Sequence, residues 1–137
     1  MNTSLAVYID GGSRGNPGSS GGGFAVFQNG KVIEKGSEYF GEKTNNQAEY
    51  MALGLALRKV HEKYGDGDLE VNCFMDSQLA VEQMNGNYKV KNENLRPLFQ
   101  EARRIADKFK SFTISHVPRE ENALADNLAN QAMDRQY

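Results

Sequence analysis

The sequence contains no tryptophan, one cysteine and three prolines, and these shortages already exclude several protein classes. With Cys73 alone, no intramolecular disulfide can form, which excludes a disulfide-stabilised scaffold. Cys73 lies in the apolar run LEVNCFM, which favours a buried strand thiol over a nucleophile. No apolar run approaches the roughly 20 residues of a membrane span, and the start MNTSLAVYID lacks a leader pattern. We therefore expect a cytoplasmic protein without membrane contact.

A strong excess of positive charge is also absent, because the formal net charge is −2. Domains that hold nucleic acid by bulk electrostatics are usually strongly basic. A site that collects carboxylates around divalent cations, however, carries local negative charge that the bound metal reverses. Net charge therefore does not decide the function. The length of 137 residues and the 39% hydrophobic content predict one domain, residues 1–137, with one core.

Apolar periodicity predicts an α/β fold with five strands. The first strand ends at Asp10, and the glycine-dense stretch 11–23 is expected to be a loop, because glycine clusters interrupt regular elements. Asn29-Gly30 is typical of a type I′ hairpin turn, so the first three strands are expected to be antiparallel neighbours. The predicted strands are residues 5–9, 24–27, 31–39, 69–75 and 111–117.

Four helices are predicted between and after these strands. Helical spacing covers residues 46–64, and Gly65-Asp66-Gly67 is expected to stop that helix. Ser77 can cap a short helix that ends near residue 84, and Pro97 is tolerated near the first turn of a helix over residues 92–109. The closing helix covers residues 121–135, with Leu124, Ala125, Leu128, Ala129 and Ala132 on its inner face. This order implies a mixed five-stranded sheet with three antiparallel and then two parallel strands and helices on both faces.

Two predicted strands end in an aspartate, namely Asp10 and Asp76. Residues just beyond the carboxyl ends of adjacent strands converge on one crevice in open α/β sheets. Glu49 and Asp126 are further acids among apolar neighbours on helices. Taken singly, such acids are most simply turn or helix-cap residues. Taken together, they suit a divalent cation that lets neighbouring carboxylates ionise, and oxygen ligands favour Mg²⁺ or Mn²⁺ over zinc.

Four segments in order resemble the ribonuclease H family, type 1, over nearly the whole chain. They are YIDGGSRGNPG from Tyr8, TNNQAEYMAL from Thr44, FMDSQLAV from Phe74 and HVPREENALADNLAN from His116. The resemblance implies the ribonuclease H-like fold and a metal-dependent endonuclease that cuts the RNA strand of RNA·DNA hybrids. The products would carry 5′-phosphate and 3′-hydroxyl ends, and two ions would act with the substrate.

The same resemblance implies roles for individual residues. Asp10, Glu49, Asp76 and Asp126 would ligate the two ions, with Asp10 between them, Asp126 on the ion that activates water, and Glu49 and Asp76 on the other. The implied substrate-binding residues are Gly11, Asn16, Thr44, Asn45, Asn46 and Gln78, of which Asn16, Thr44 and Asn45 would hold a phosphate of the DNA strand. Thr44, Asn45 and Asn46 also fit a simple helix cap. A dinucleotide site on the glycines is disfavoured, because a strand follows them where a helix would be needed.

The sequence departs from the family pattern at two places. Many bacterial members carry a basic helical protrusion, whereas residues 85–93 here join two helices directly, with Lys89 and Lys91 as charges that could meet a duplex. The segment HVPREEN resembles archaeal and retroelement-like variants in which an arginine takes the auxiliary catalytic position. Arg119 is therefore the first candidate and His116 the second, although His116 also fits a purely structural strand position.

Three alternatives to the hybrid-specific nuclease remain at this stage. The first is a catalytically weak or silent duplex-binding module, which the presence of all four acids disfavours. The second is a nuclease or integrase of the same fold that acts on DNA, which the complete phosphate-pocket segment disfavours. The third is additional cleavage of double-stranded RNA. No obligate protein partner is implied, and a monomer is expected.

Overall fold

A computed structural model describes residues 3–65 and 68–137. Five strands form one sheet: β1 (Thr3–Gly15), β2 (Gly18–Gln28), β3 (Lys31–Lys43), β4 (Leu69–Met75) and β5 (Ser111–His116). The strand order is β3-β2-β1-β4-β5. The β1·β2 and β2·β3 pairs are antiparallel, and the β1·β4 and β4·β5 pairs are parallel. The predicted mixed sheet and its pairing directions are confirmed.

The helices are α1 (Asn45–Tyr64), α2 (Gln78–Met84), α3 (Arg96–Ala106) and α4 (Ala123–Arg135), with a short 3₁₀ turn at Arg119–Glu121. The main core lies between one face of the sheet and α1, where apolar strand residues meet the inner side of that helix. Helix α4 covers β1, β2 and β3 from the other face. Helices therefore lie on both faces, as predicted. None of these helices, all within the described residues, is long and apolar enough to cross a membrane.

The glycine-dense stretch is not a loop, which corrects the sequence prediction. Apart from the turn at Asn16 and Pro17, residues 11–23 belong to strands β1 and β2. A Cβ atom at Gly22 would lie 2.7 Å from the Cβ of Ala52 on α1, and one at Gly23 would lie 2.7 Å from the carbonyl oxygen of Ala125 on α4. Glycine is present because both helices pack directly against the backbone of β2. Close packing, and not flexibility, explains this composition.

Most other element predictions hold, with shifted ends. Asn29 and Gly30 both have positive φ, of 52° and 79°, as the predicted type I′ turn requires. Helix α1 ends at Tyr64 with Gly65 as its cap, while residues 66 and 67 of the predicted stop lie outside the described residues. Cys73 is buried in β4, and burial raises the pKa of its thiol.

Two helices begin later than predicted. Helix α3 starts at Arg96 and not at residue 92, because the Asn92 side chain accepts a hydrogen bond from the Asn94 amide (2.7 Å) and stabilises a local turn. Helix α4 starts at Ala123 and not at residue 121, because the preceding residues form the 3₁₀ turn. Leu124 was predicted on the inner face, but it is 36% exposed in the first turn of α4.

Candidate active site

Asp10 and Asp76 lie where the parallel pairing of β1 and β4 ends. The last residues paired in that register are Ile9 and Met75, and each is followed directly by one of the two aspartates. Asp10 itself continues β1 and pairs with Gly23 of β2. It therefore lies within a strand, whereas the sequence prediction placed it at the end of one. The expected convergence of these two acids at one edge of the parallel pair is nevertheless present, since both line one cleft.

Glu49 reaches the same cleft because α1 packs directly on β1. A Cβ atom at Gly11 would lie 2.3 Å from the carbonyl oxygen of Ala48 and 2.9 Å from the Cα of Glu49. Any side chain at position 11 would therefore push the second turn of α1 away from the strand. Glycine allows the approach, and Glu49 becomes only 8% exposed, as is Asp10. Gly11 thus has a structural role in placing the glutamate beside the aspartates.

Asp126 enters from the first turn of α4, with its side chain 27% exposed. The start of this helix is joined to β1 by Asn122, whose amide nitrogen donates a hydrogen bond to the Ile9 carbonyl oxygen (2.8 Å). Asn122 is buried, and its side-chain oxygen has no hydrogen-bond partner. This hydrogen bond holds the start of α4 against Ile9, the residue that precedes Asp10 in β1. It therefore brings Asp126, in the first turn of α4, close to Asp10.

Burial, together with the neighbouring acids, disfavours ionisation of Asp10 and Glu49. Burial, followed by the nearby charge of Asp76 and by hydrogen bonding to Asp126, raises the pKa of Asp10 to about 9. Burial likewise raises the pKa of Glu49 to about 7, although hydrogen bonds from Ser77 and Asn45 partly oppose this effect. The side-chain nitrogen Nδ2 of Asn45 donates to Glu49 Oε1 over 3.1 Å. The cleft therefore favours either bound protons or a compensating positive charge.

The cleft that these acids line has a volume of about 380 Å³. Its donor atoms are mainly carboxylate and amide oxygens, the ligand chemistry that Mg²⁺ and Mn²⁺ prefer. Within residues 3–65 and 68–137, no three His, Cys, Asp or Glu side chains already form a compact ligand group. The donor set fits hard divalent cations in chemistry, and the side chains would have to draw together around them.

The two auxiliary candidates are placed differently. Arg119 lines the acid cleft, and its guanidinium nitrogen Nη2 lies 4.0 Å from Asp126 Oδ1. His116 is the last residue of β5, where it pairs with Met75 and is exposed, and it does not line this cleft. The geometry therefore favours Arg119 over His116 as the group that can reach a ligand in the cleft.

Each implied phosphate-pocket residue is held by a hydrogen bond near the start of α1. The Thr44 hydroxyl accepts from the Gln47 amide (3.1 Å), and the Gln47 side chain accepts from the Thr44 amide (2.9 Å), which is a capping box at the start of α1. The Asn45 backbone nitrogen donates to Asn16 Oδ1 (3.1 Å), and Asn45 Oδ1 accepts from the Ser13 backbone nitrogen (3.3 Å). Asn45 thereby joins the tip of the β1–β2 hairpin to α1 and to Glu49.

Other predicted residues are not brought to the acids. Asn46 and Gln78 are exposed near the starts of α1 and α2, and neither lines the cleft. Among the polar residues that line the cleft, sequence reasoning missed Ser13, Arg14 and Asn130. The alternation of a strand would have placed Arg14 on the same face as Asp10, but the interpretation of residues 11–23 as a loop concealed that pattern.

The fold and the cleft together define a class: a ribonuclease H-like α/β domain with an all-oxygen acid site. A family model described as reverse transcriptase-like matches residues 9–132. Ribonuclease HI of Halobacterium salinarum is 40% identical over 129 residues, which are 93% of this chain and 63% of that protein. A bifunctional protein of Mycobacterium tuberculosis is 40% identical over 132 residues, which are 95% of this chain but only 35% of its own length.

Among solved structures, LC11-RNase H1 in complex with an RNA/DNA hybrid superposes with a TM-score of 0.91 at 42% identity, covering 96% of this chain and 98% of that one. The chain therefore belongs to the ribonuclease H family, of type 1. The chain spans about a third of the length of the mycobacterial relatives that it matches.

Proposed function

We propose that this protein is a divalent-metal-dependent endonuclease that hydrolyses the RNA strand of RNA·DNA hybrids and leaves 5′-phosphate and 3′-hydroxyl ends. The observation that carries the proposal is the meeting of Asp10, Glu49, Asp76 and Asp126 in one cleft, where burial and the crowding of acids raise the pKa of Asp10 to about 9. Such crowding is unfavourable without bound positive charge. The similarity to LC11-RNase H1, solved with an RNA/DNA hybrid, supports the substrate class.

In this proposal the four carboxylates hold two ions, Mg²⁺ or Mn²⁺. Two divalent ions in such a site supply an activated water and stabilise the leaving oxygen of a phosphodiester. Asn45 donates to Glu49 and so keeps that carboxylate directed into the cleft. Asn122 keeps the first turn of α4, and with it Asp126, against β1. Arg119, beside Asp126, stabilises negative charge on the phosphate.

The other strand of the hybrid would meet the neutral donors next to the cleft. Asn16, Thr44 and Asn45 already form a preorganised group and would bind a phosphate of the DNA strand. Gly11 lines the cleft but is buried against α1, so its part in substrate binding would be to let that helix approach β1 and bring Asn45 and Glu49 beside the substrate. Asn46 and Gln78 are exposed, and they would contact base edges in the minor groove, where recognition follows backbone type more than sequence.

Cleavage of four matched duplexes tests the proposal: an RNA·DNA hybrid, double-stranded RNA, double-stranded DNA, and a hybrid whose RNA carries 2′-deoxy sugars around the cut position. Each is incubated with Mg²⁺, with Mn²⁺ and with a chelator, and product ends are identified by mass. We expect metal-dependent cutting of the plain hybrid alone, because the 2′-hydroxyl distinguishes the strands. Equal cutting of the plain DNA duplex would contradict the proposed specificity for hybrids. Cutting of double-stranded RNA would add a second substrate to the hybrid.

A further inference from the structure

Arg14 lies in strand β1 on the same face as Asp10. Successive strand residues point to opposite faces, so Asp10, Gly12 and Arg14 share one side, and a rise of about 3.3 Å per residue puts the Cα atoms of Asp10 and Arg14 about 13 Å apart. Both side chains line the acid cleft. A ligand that follows the cleft away from the carboxylates along β1 therefore reaches Arg14.

Arg14 is held by α4. Its Nη1 lies 2.6 Å from Asp134 Oδ1, and its Nη2 is within 3.4 Å of the carbonyl oxygen and 3.3 Å of the side-chain oxygen of Asn130. The Arg14 and Asp134 side chains are 47% and 66% exposed. An ion pair exposed to this extent contributes little to stability, and a competing anion can displace it.

Competition between Asp134 and a substrate phosphate for Arg14 affects binding because the cleft contains few positive charges. In the part of the chain that the structure describes, the cleft is lined by four carboxylates and by two cationic side chains, Arg14 and Arg119. A polyanionic substrate must approach these carboxylates, and a planar guanidinium can bind a phosphate through two parallel hydrogen bonds. Arg119 is close to Asp126, whereas Arg14 is the cation available farther along the cleft.

We propose that Arg14 binds a backbone phosphate of the cut strand, and that Asp134 is an internal competitor that occupies Arg14 when no substrate is bound. This inference rests on the proposed nuclease function. The cut strand is the one that must lie along the carboxylates, on the α4 side of β1. On the other side of the hairpin tip, Asn45 bonds to Ser13 and Asn16, and the second strand would lie there.

The affinity for hybrid tests the competition. Binding is measured at several salt concentrations in an Asp10→Asn background, so that cleavage does not interfere. Arg14→Ala should weaken binding by about tenfold, as expected for a lost charge-assisted bond. It should also lower the slope of log affinity against log salt by about 0.9, the effect of one phosphate contact. Arg14→Lys should keep the salt slope and lose part of the affinity.

Asp134→Asn should have the opposite effect and tighten binding by up to about fivefold, because it releases Arg14. The tightening should disappear when Arg14→Ala is also present. Arg58 and Glu101 provide matched controls, since they form a similarly exposed ion pair (3.1 Å) between α1 and α3, away from the acid cleft. Arg58→Ala and Glu101→Gln make the same changes in charge and should shift affinity much less.

Equal tightening by Asp134→Asn with and without Arg14 would overturn the competition, because the effect would then be one of net charge. Unchanged affinity and salt slope in Arg14→Ala would overturn the phosphate contact. Replacing single phosphates of either strand by neutral methylphosphonates locates the contact: one position in the cut strand should abolish the difference between wild type and Arg14→Ala. A sensitive position in the other strand alone would contradict the strand assignment.

The outcome is separable from that of the proposed function. If the wild-type protein cuts no hybrid with either metal, the nuclease proposal fails whatever the binding variants show. If it cuts hybrid and Arg14→Ala behaves like Arg58→Ala in affinity and KM, only the role of Arg14 fails. Thermal unfolding of each variant checks that α4 remains packed on the sheet.

Discussion

The interior of the acid cleft and its rim satisfy their polar groups in different ways. Asp10 and Glu49 are almost fully buried among other acids, and the pKa of each carboxyl is raised, to about 9 and about 7. Along the rim, Thr44 is closed in a capping box and Asn45 is bonded to Asn16 and Ser13. The rim is therefore organised by neutral hydrogen bonds before any ligand arrives. The interior contains repulsion that only protons or cations relieve.

Because of this difference, we expect that substitutions can lower catalytic turnover and substrate affinity separately. Changes inside the cleft should act on turnover and on the response to metal, because they alter the charge that holds the ions. Changes at the rim should act mainly on affinity, because they remove donors for a phosphate, and loss of Asn45 should in addition affect turnover, because it removes a hydrogen bond to Glu49.

Asp10→Asn should lower turnover on the hybrid by at least about a thousandfold, since an amide keeps the shape but removes the anion that helps to hold the ions, an effect of several kcal/mol. Hybrid binding should change little. Asp107→Asn is the matched control, because Asp107 is exposed, pairs with Arg103 and lies outside the cleft. Near-normal Mg²⁺-dependent turnover in Asp10→Asn would refute the role of the four carboxylates.

Arg119→Ala should lower turnover at saturating hybrid by at least about tenfold, with no new pH dependence, because a guanidinium remains charged across the working range. His116→Ala should do less, since His116 does not line the cleft. The measurement is kcat against pH for both variants. A limb near neutrality that disappears only in His116→Ala would instead assign the auxiliary role to the histidine, because histidine side chains titrate there.

Combined replacement of Asn16, Thr44 and Asn45 by alanine should raise KM by about tenfold, since three lost hydrogen bonds at about 0.5 kcal/mol each, the low end for exposed groups, amount to about 1.5 kcal/mol. The measurement is steady-state kinetics with hybrid. Thr44→Ala alone should also destabilise α1 by about 1 kcal/mol, because it removes the N-cap. A turnover defect with unchanged affinity in the combined variant would remove the pocket role of these residues.

The smallest expected effect concerns stability without metal. Because the pKa of Asp10 is raised from 3.8 to about 9, the folded protein binds more protons than the unfolded chain between these values. The free energy of unfolding should therefore fall as pH rises through that range. Asp10→Asn should flatten the fall and be more stable than wild type at neutral pH in a chelator. Denaturant unfolding at several pH values measures this, and an identical slope in both proteins would argue against the crowding of the acids.

Much of the architecture could be predicted from local sequence features. The Asn29-Gly30 turn, the long helix that ends at Tyr64 and the Ser77 cap depend on residues that are near in the chain, and all three were correctly predicted. The glycine-dense stretch was not, because its composition reflects helices that pack on it from distant parts of the chain. Local propensity treats glycine as a strand breaker and contains no information about such contacts.

The candidate site shows the same division. The four segments that resemble the family contain all four acids, so the sequence by itself determined which carboxylates to consider and which reaction class to expect. Arg14 was missed although it is within one of those segments, because residues 11–23 were interpreted as a loop and because its partners Asn130 and Asp134 are more than a hundred residues away.

Only the tertiary structure decided how close the acids lie to one another and which positively charged side chains line the cleft with them. Gly11 lets α1 contact β1 at Ala48. Asn122 holds the start of α4 against Ile9, the residue that precedes Asp10. These contacts bury the carboxylates together and raise the pKa of Asp10, and they leave His116 outside the cleft while Arg119 and Arg14 line it. Residue type and order specify the chemistry that is available. Burial and mutual distance, which arise only when strands and helices pack, decide the electrostatic free energy of the site.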